Sequence, residues 1–198
     1  MIEASVIICA HDPRPEYFKR VLAAVREQSL PKDSWELIVV DNVSAVPLAD
    51  NWDLSWHPRG RHVVENELGV SAARRCAIKE STSDLLVFVD DDNVLDPAYM
   101  ARADEIKGHW PQLGTWGSGT IIPEFEVQPA EYLEPLLPAL ALRQVTTPRW
   151  TNSFPCFEAV PWGAGLCLRS SVAAAYRQGY DESSIQLSGC LNCTIIRC

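Results

Sequence analysis

Positive charge is scarce in this chain. Seventeen Lys and Arg stand against 26 Asp and Glu, a formal net charge of -9, which argues against a surface built to coat nucleic acid. A small anionic substrate is not excluded, because a site can be locally positive. Long hydrophobic runs are also missing. Nothing approaches the roughly 18 or more apolar residues that a membrane span needs. Met1 to Ala10 is apolar, but Glu3 interrupts it, no basic region precedes it and no small-residue cleavage site follows, so it reads as a strand. Glycine-rich nucleotide signatures are absent too. Where a Gly-x-Gly-x-x-Gly fingerprint would follow the first strand, Ala10, His11 and Asp12 stand instead, and no phosphate-loop lysine motif occurs. The four histidines show no metal-ligand spacing and no neighbouring Ser or Cys nucleophile motif. His57, His62 and His109 read as packing or surface residues. His11 stands apart, because it closes the first strand. No internal repeat or low-complexity tract appears.

What is present is ordinary for one soluble globular domain: 198 residues, 47% hydrophobic and 22% charged, enough for a substantial core. The seven cysteines are an odd, scattered set, best read as reduced thiols of a cytosolic compartment. Cys190, Cys193 and Cys198 offer three thiols without an obvious fourth ligand, so no zinc site is expected.

Strand and helix patterns alternate along the first two thirds. Ala4 to Ala10 predicts a buried strand, and Phe18, Val21, Leu22 and Val25 recur at helical spacing within a helix over 15–28. Trp35 to Val40 predicts a second strand that runs into Asp41 and Asn42. From Pro47 to Gly60 no period is sustained, and a loop is expected. Arg61 to Glu65 predicts a short strand and Val70 to Ser81 a helix bearing Arg74 and Arg75. Leu85 to Val89 is a continuous apolar run, a strand buried on both faces, followed by a helix over 97–110 that Asp96 and Pro97 start. Leu113 to Ile122 predicts a further strand. Pro123 to Pro161, rich in proline, predicts an irregular excursion with one helix over 132–145. Trp162 to Leu168 returns to strand-like sequence, Ser170 or Ser171 caps a helix to Gln178, and 180–198 shows no period. The succession reads as an α/β sheet covered on both faces.

The chemistry gathers after Val89. Asp90, Asp91 and Asp92 place three carboxylates at the carboxyl end of a strand, the edge where open α/β sheets bind ligands. If the backbone stays extended there, Asp90 and Asp92 project to one side and Asp91 to the other. Adjacent anions raise one another's pKa unless a cation compensates, and a hard divalent metal is the simplest such cation. Mg2+ or Mn2+ takes oxygen ligands, often one or two carboxylates plus substrate phosphates.

The ordered segments SVIICAHD, ELIVVDNVS, NELGVSAARRCAI, DLLVFVDDDNVLDP and PWGAGLCLRSS together resemble family 2 glycosyltransferases over residues 4–172. The resemblance implies a GT-A-type nucleotide-diphospho-sugar transferase fold, with a mostly parallel central sheet and helices on both faces. It further implies an inverting, metal-dependent enzyme that moves a sugar from a nucleoside diphosphate sugar, UDP-sugar first, to a saccharide or lipid-linked acceptor. Residues 1–122 would form the donor-binding half and 123–198 an acceptor-side half truncated at its C-terminus. The segment Cys9, Ala10 and His11 matches the one that contacts the base, His11 standing where relatives often have Tyr. Asp41, with Asn42 beside it, matches the acid that accepts from the base ring. Arg74 matches the basic residue of an Ala-Arg-Asn-like motif, although Arg75 replaces the Asn. Asp90 or Asp91 is then expected near the ribose, and Asp92, with Asp90, on Mg2+ or Mn2+. Trp162 and Gly163 match the loop lining donor sugar and acceptor.

One departure concerns the catalytic base, which relatives place in a Glu-Asp pair beyond the glycine-containing strand. Only Asp181 and Glu182 occupy that region, so the base is expected past Cys198, with those two as weaker candidates. Location is expected to be cytoplasmic, or peripheral at the inner face of the membrane, with no transmembrane segment and no nucleic-acid partner. Two rival readings remain. Asp90 to Val94 also fits the Asp-x-Asp-x-Val pattern of haloacid-dehalogenase-like, Mg-dependent phosphatases, and the same fold can be a nucleotide-sugar-binding module without turnover.

Overall fold

The computed structural model describes residues 2–140, 142–153, 156, 159–181 and 193–196. In chain order these form β1 (Ala4–Ala10), α1 (Pro15–Arg26), β2 (Trp35–Asp41), α2 (Leu48–Asn51), β3 (Gly60–Val64), α3 (Val70–Glu80), β4 (Leu85–Val89) and α4 (Tyr99–His109). There follow β5 (Thr115–Ser118), β6 (Thr120–Ile121), a 3-10 segment (Glu131–Leu140), β7 (Arg143–Gln144), β8 (Arg149–Thr151), β9 (Leu166–Arg169), α5 (Ser170–Asp181) and β10 (Cys193–Ile196).

Side-chain alternation in the central strands explains the layers. Successive residues of a strand point to opposite faces, so an uninterrupted apolar run must be covered twice. Val6, Ile8, Leu37, Val39, Val87 and Val89 pack with Phe18, Val21, Leu22 and Val25 of α1 and with Tyr99, Met100 and Ala103 of α4. Ile7, Ile38, Val40, Leu86 and Phe88 pack on the opposite side with Ala73 and Ala77 of α3 and Ala173 of α5. Small residues on α3 bring that helix close to the sheet. Each large apolar side chain so buried contributes about 1.5–3 kcal/mol relative to exposure.

The main sheet runs β3-β2-β1-β4-β9-β5-β10-β8. β3, β2, β1 and β4 are parallel. β9 is antiparallel to both β4 and β5, β10 is parallel to β5, and β8 is antiparallel to β10. Only β8 and β9 therefore oppose the common direction. The chain moves from β1 to β2 and β3 on one side, then crosses back to β4 on the other. The carboxyl ends of β1 and β4 thus flank a reversal of strand order, where an open α/β sheet leaves a crevice for ligands.

Several expectations change in detail. The strand foreseen over 113–122 is broken: β5 joins the main sheet, while β6 pairs with β7 in a separate two-stranded ribbon. The helix expected over 132–145 is a 3-10 segment ending at Leu140 and followed by β7, in keeping with Pro135, whose ring removes a helical donor. A single turn of helix, α2, stands in the expected 47–60 loop. α4 begins at Tyr99 rather than Pro97, because Asp96 folds onto the backbone ahead of the helix, its Oδ1 accepting from Ala98 N–H at 2.8 Å. Trp162 and Gly163 precede β9 instead of lying in it, and the patternless C-terminal stretch contains β10.

The amino-terminal edge of the sheet is closed by a buried polar knot. Glu36, 2% exposed, accepts from Ser5 Oγ at 2.6 Å, Thr82 N at 2.8 Å, Thr82 Oγ1 at 2.9 Å and Arg61 Nη1 at 2.6 Å. Arg61 also donates to the Glu80 carbonyl at 2.6 Å. A buried carboxylate is tolerated only when satisfied in this way.

Candidate functional site

At the opposite edge the acidic run leaves the sheet. β4 ends at Val89 and the chain turns at once, Asn93 N–H donating to the Asp90 carbonyl at 3.2 Å. The simple alternation expected for an extended Asp90 to Asp92 is therefore replaced by a turn that gathers the acids. Asn93 Nδ2 donates to Asp92 Oδ1 at 2.8 Å and reaches Asp90 Oδ2 at 3.4 Å. From α3, Arg74 brings its guanidinium to 3.4 Å from Asp90 Oδ1 and 5.7 Å from the Phe88 ring centroid. Asp90 follows Leu86 and Phe88 on the α3 side of the sheet, which is why a helix residue can meet it there.

Burial and like charge together raise two acids of this loop. Burial raises the Asp90 carboxyl, Arg74 opposes that, and Asp92 adds to it. Burial likewise raises Asp91, with Asp92 and then Asp90 contributing in the same direction. Burial pushes the neighbouring Cys9 thiol up to about 12, against the pull of Arg74, so Cys9 is an inert neutral thiol there.

The ends of β1 and β2 are stitched together. His11 Nδ1 lies 2.8 Å from the Asn42 carbonyl, and Asn42 N–H donates to the Ala10 carbonyl at 2.9 Å. Because that carbonyl can only accept, Nδ1 carries a proton, and Nε2 lies 3.8 Å from Asp12 Oδ2. Asp12, with φ 45°, donates its N–H to Ser44 Oγ at 3.1 Å and accepts from Ala45 N–H at 2.7 Å. A cleft of about 440 Å3, lined in part by Asp12, Ser44, Leu48 and Trp52, opens beside this seam.

Asp41 and Asn42 point to opposite faces, as neighbours at a strand end do. Asp41, 5% exposed, lies on the α1 side, where Oδ1 accepts from Ser44 N–H at 3.0 Å and Oδ2 from Leu48 N–H at 2.8 Å. Burial alone would raise its pKa, but the donors at Leu48 and Ser44 outweigh burial and hold it below the usual range. Asn42, 3% exposed, lies on the α3 side with Asp90. Its Nδ2 donates to the Glu65 and Glu67 carbonyls at 3.2 and 2.7 Å, and its Oδ1 accepts from Gly69 N–H at 2.8 Å. Arg75 turns away to Glu67, 3.2 Å from Oε2, so only Arg74 of the pair faces the acids.

The loop before β9 covers the Arg74–Asp90 pair. A Cβ on Gly163 would stand 3.1 Å from Arg74 Nη2 and 3.4 Å from Asp90 Oδ2, so glycine lets the backbone approach. Cys9, Ala10, His11, Asn42, Arg74, Asp90, Asp91, Asp92 and Gly163 thus belong to one strand-end region, with Trp162 adjoining it and Asp41 behind it. Asp181 ends α5, and Glu182 and Cys198 lie outside the described residues, as do Cys190 and the side chain of Cys193. Two contributors escaped the sequence reading: Asn93 and Tyr99. Asn93 is singled out by its contacts inside the acidic turn, and Tyr99 by a carbonyl far along the chain.

Among the described residues, no three His, Cys, Asp or Glu side chains converge as a closed metal cage. None of their helices is long and apolar enough to cross a membrane.

Comparison with known proteins agrees with this architecture. The S. aureus TarS 1–349 structure has a TM-score of 0.65 at 18% identity, covering 88% of this chain and 49% of that one. Its complex with UDP-GlcNAc gives 0.64 at 15% identity, over 88% of this chain and 47% of that one. A Pyrobaculum calidifontis mannosyltransferase in complex with GDP-Man and Mn2+ gives 0.52 at 23% identity, over 60% and 36%. The chain therefore spans about half the length of the TarS structure it matches. No curated protein matches by sequence. The family model described as glycosyl transferase family 2 matches residues 5–103, half of the 198 residues, and with the GT-A arrangement of sheet and helices this places the chain in that family.

Proposed function

We propose that the chain binds a nucleoside diphosphate sugar, a UDP-sugar, with a divalent cation, and forms the donor side of an inverting transfer to an acceptor hydroxyl. The observation that carries this reading is the meeting of Asp90 with Arg74 beneath Gly163, with Asp91 and Asp92 next in the same turn, at the strand-order reversal. TarS bound to UDP-GlcNAc and the mannosyltransferase bound to GDP-Man and Mn2+ support nucleotide-sugar chemistry in this fold. Both activity and ligand remain those proteins' own; for this chain they are the proposal.

The residues fit Mg2+ or Mn2+. Such ions need only one or two carboxylates from the protein, the rest of the shell being water and phosphate oxygen. Asp90 and Asp91 are raised first by burial and then by neighbouring acids, a combination that a bound cation would offset. Asp92, assisted by Asp90, would hold the ion, which when bound supplies positive charge to a leaving diphosphate. Arg74 offers a second positive group within the same few ångströms. His11 presents its ring to a base. Cys9 and Ala10 present strand-end backbone, and Asn42 holds the 65–69 loop alongside. In this reading Asp41 acts on the base pocket through the Ser44 and Leu48 backbone it anchors. Trp162 and Gly163 border the donor sugar and acceptor. Residues 1–122 are the donor half, and 123–198 add the acceptor-side loop along with β8, β9 and β10. Within this sequence Asp181 and Glu182 are the weak candidates for the base that takes the acceptor proton, a saccharide or lipid-linked hydroxyl being the acceptor.

The family match and the late position of the acidic strand, fourth among the strands, weigh against the phosphatase reading. The test is thermal stabilisation by a panel of UDP- and GDP-sugars with and without Mn2+. A ligand at a hundredfold excess over its Kd stabilises by about 2.7 kcal/mol, a clear shift in Tm. One UDP-sugar should shift Tm only with Mn2+ present, and Asp92→Ala should erase that increment. The reading fails if no nucleotide sugar shifts Tm. Donor hydrolysis in the same samples separates a transferase from a binding module.

A further inference from the structure

We propose that Tyr99 is a positioning residue for sugar transfer: its hydroxyl latches the 162–165 loop so that Gly163 stays seated on Arg74 and Asp90. This deepens the donor-site reading and rests on it.

Tyr99 opens α4, directly after the acidic turn, and is 2% exposed. Its hydroxyl donates to the Gly165 carbonyl, with Cys167 Sγ 3.9 Å from the phenol oxygen and 3.8 Å from that carbonyl. The loop lies flat on the phenol. Gly165 has φ +73°, and a Cβ there would stand 2.6 Å from Tyr99 Oη and 3.1 Å from Ser118 Oγ. Only glycine allows both the backbone angle and the approach. The next link is a tight turn, Leu166 N–H donating to the Gly163 carbonyl at 3.2 Å, so Gly163 to Gly165 move together. At the turn's other end Gly163 rests on the Arg74 guanidinium. One hydroxyl therefore ties the helix that follows the metal loop to the loop that covers it.

Packing alone does not account for the hydroxyl. The ring belongs to the apolar cluster with Met100, Trp116 and Cys167, a place a phenylalanine would fill equally well. What the oxygen adds is a fixed position for Gly165, and through it for Gly163. Reacting groups displaced by about 1 Å lose on the order of a hundredfold in rate. The latch is thus expected to matter where the sugar sits, not where the nucleotide sits, since what it fixes is the 163–165 turn over Arg74 and Asp90.

The experiment is Tyr99→Phe in the whole chain, with three readouts. Amide exchange at Leu166 should quicken about tenfold as the turn loosens. UDP affinity with Mn2+ should stay within about twofold, while the extra affinity that the sugar of the active UDP-sugar adds over UDP falls about tenfold, with kcat for donor hydrolysis falling more than KM rises. Gly163→Ala keeps the latch and crowds Arg74, so it should lose the sugar increment with Leu166 exchange unchanged. Unchanged exchange and an intact sugar increment in Tyr99→Phe would overturn the latch. If the wild-type chain binds no UDP at all, the donor-site reading falls, while exchange at Leu166 still decides whether the hydroxyl holds the loop.

Discussion

His57 should make the folded state fail early in mild acid. Its ring is 3% exposed, 4.0 Å from the Trp35 ring centroid and 5.6 Å from that of Trp56. Nδ1 accepts from Arg59 N–H at 3.1 Å, so the neutral ring keeps its one proton on buried Nε2, which has no hydrogen-bond partner among the described residues; a second proton would have to enter at Nδ1 against the Arg59 N–H donor. Burial lowers the pKa from 6.5 to about 4; Lys32 and Arg59 act in the same direction and Glu36 against it. Between those values the unfolded chain binds a proton that the folded chain refuses, so stability falls as pH drops from 6.5 and levels off below 4. At about 1.4 kcal/mol per pKa unit the total is roughly 3 kcal/mol, a large share of the 5–15 kcal/mol typical of a domain.

The assay is urea unfolding of the wild-type chain and His57→Gln at a series of pH values. Gln keeps a polar side chain in place without titrating. At neutral pH the variant should be the less stable, having lost ring contact with Trp35. Falling pH should then close the gap by about 3 kcal/mol, because only the wild-type chain forfeits stability through this histidine. Carboxylate contributions are common to both proteins. Those of Glu36 and Asp41, whose folded pKa values are lowered, disappear at more acid pH, and those of Asp90 and Asp91, which are raised, carry the opposite sign. Parallel curves for the two proteins would refute the reasoning.

Other substitutions probe the frame and the site separately. Glu36→Ala should cost about 3–5 kcal/mol in denaturant unfolding, since it strands Arg61, Thr82 and Ser5 at the sheet's base; a loss under about 1 kcal/mol would show the knot to be incidental. Asp41→Asn should cost about 1–3 kcal/mol, because an amide NH2 must face either Ser44 N–H or Leu48 N–H, and an unshifted midpoint would deny Asp41 its anchoring role. Gly165→Ala should destabilise by roughly 2–5 kcal/mol from its φ of +73° and the close phenol together, whereas Gly163→Ala should leave Tm nearly unchanged, and equal melting losses in the two would contradict the geometry.

How much was legible follows from the range of each signal. β1, β2, β4, α1 and α3 could be read because their patterns are local and strong: buried runs bounded by turn residues, and apolar spacing on a helix face. The broken strand over 113–122 could not, because what separates β5 from β6 is the partner each finds, β9 and β10 for one and β7 for the other. The 3-10 segment over 131–140 misled for a related reason. Its leucines repeat at a spacing that suits either helix type, and the prolines decide between them.

The site divides along the same line. Acids at the end of a buried strand announce themselves, and Asp90 to Asp92 were legible as soon as β4 was. Asp41 and Asn42 could not be told apart in this way, since both follow a buried strand and both carry acceptor oxygens. Their separation comes from the strand's own alternation, which sends Asp41 to the α1 side to accept Leu48 N–H and Asn42 to the α3 side to donate to the Glu67 carbonyl. Asn42 therefore shares a face with Asp90 and Arg74, while Asp41 lies behind the sheet. Had the pattern been counted outward from Val40 in β2 and Phe88 in β4, both of which pack in the α3-side core, this division was within reach of the sequence. Tyr99 was not. Its hydroxyl acquires meaning only from a glycine carbonyl 66 residues away, and no local period encodes that distance.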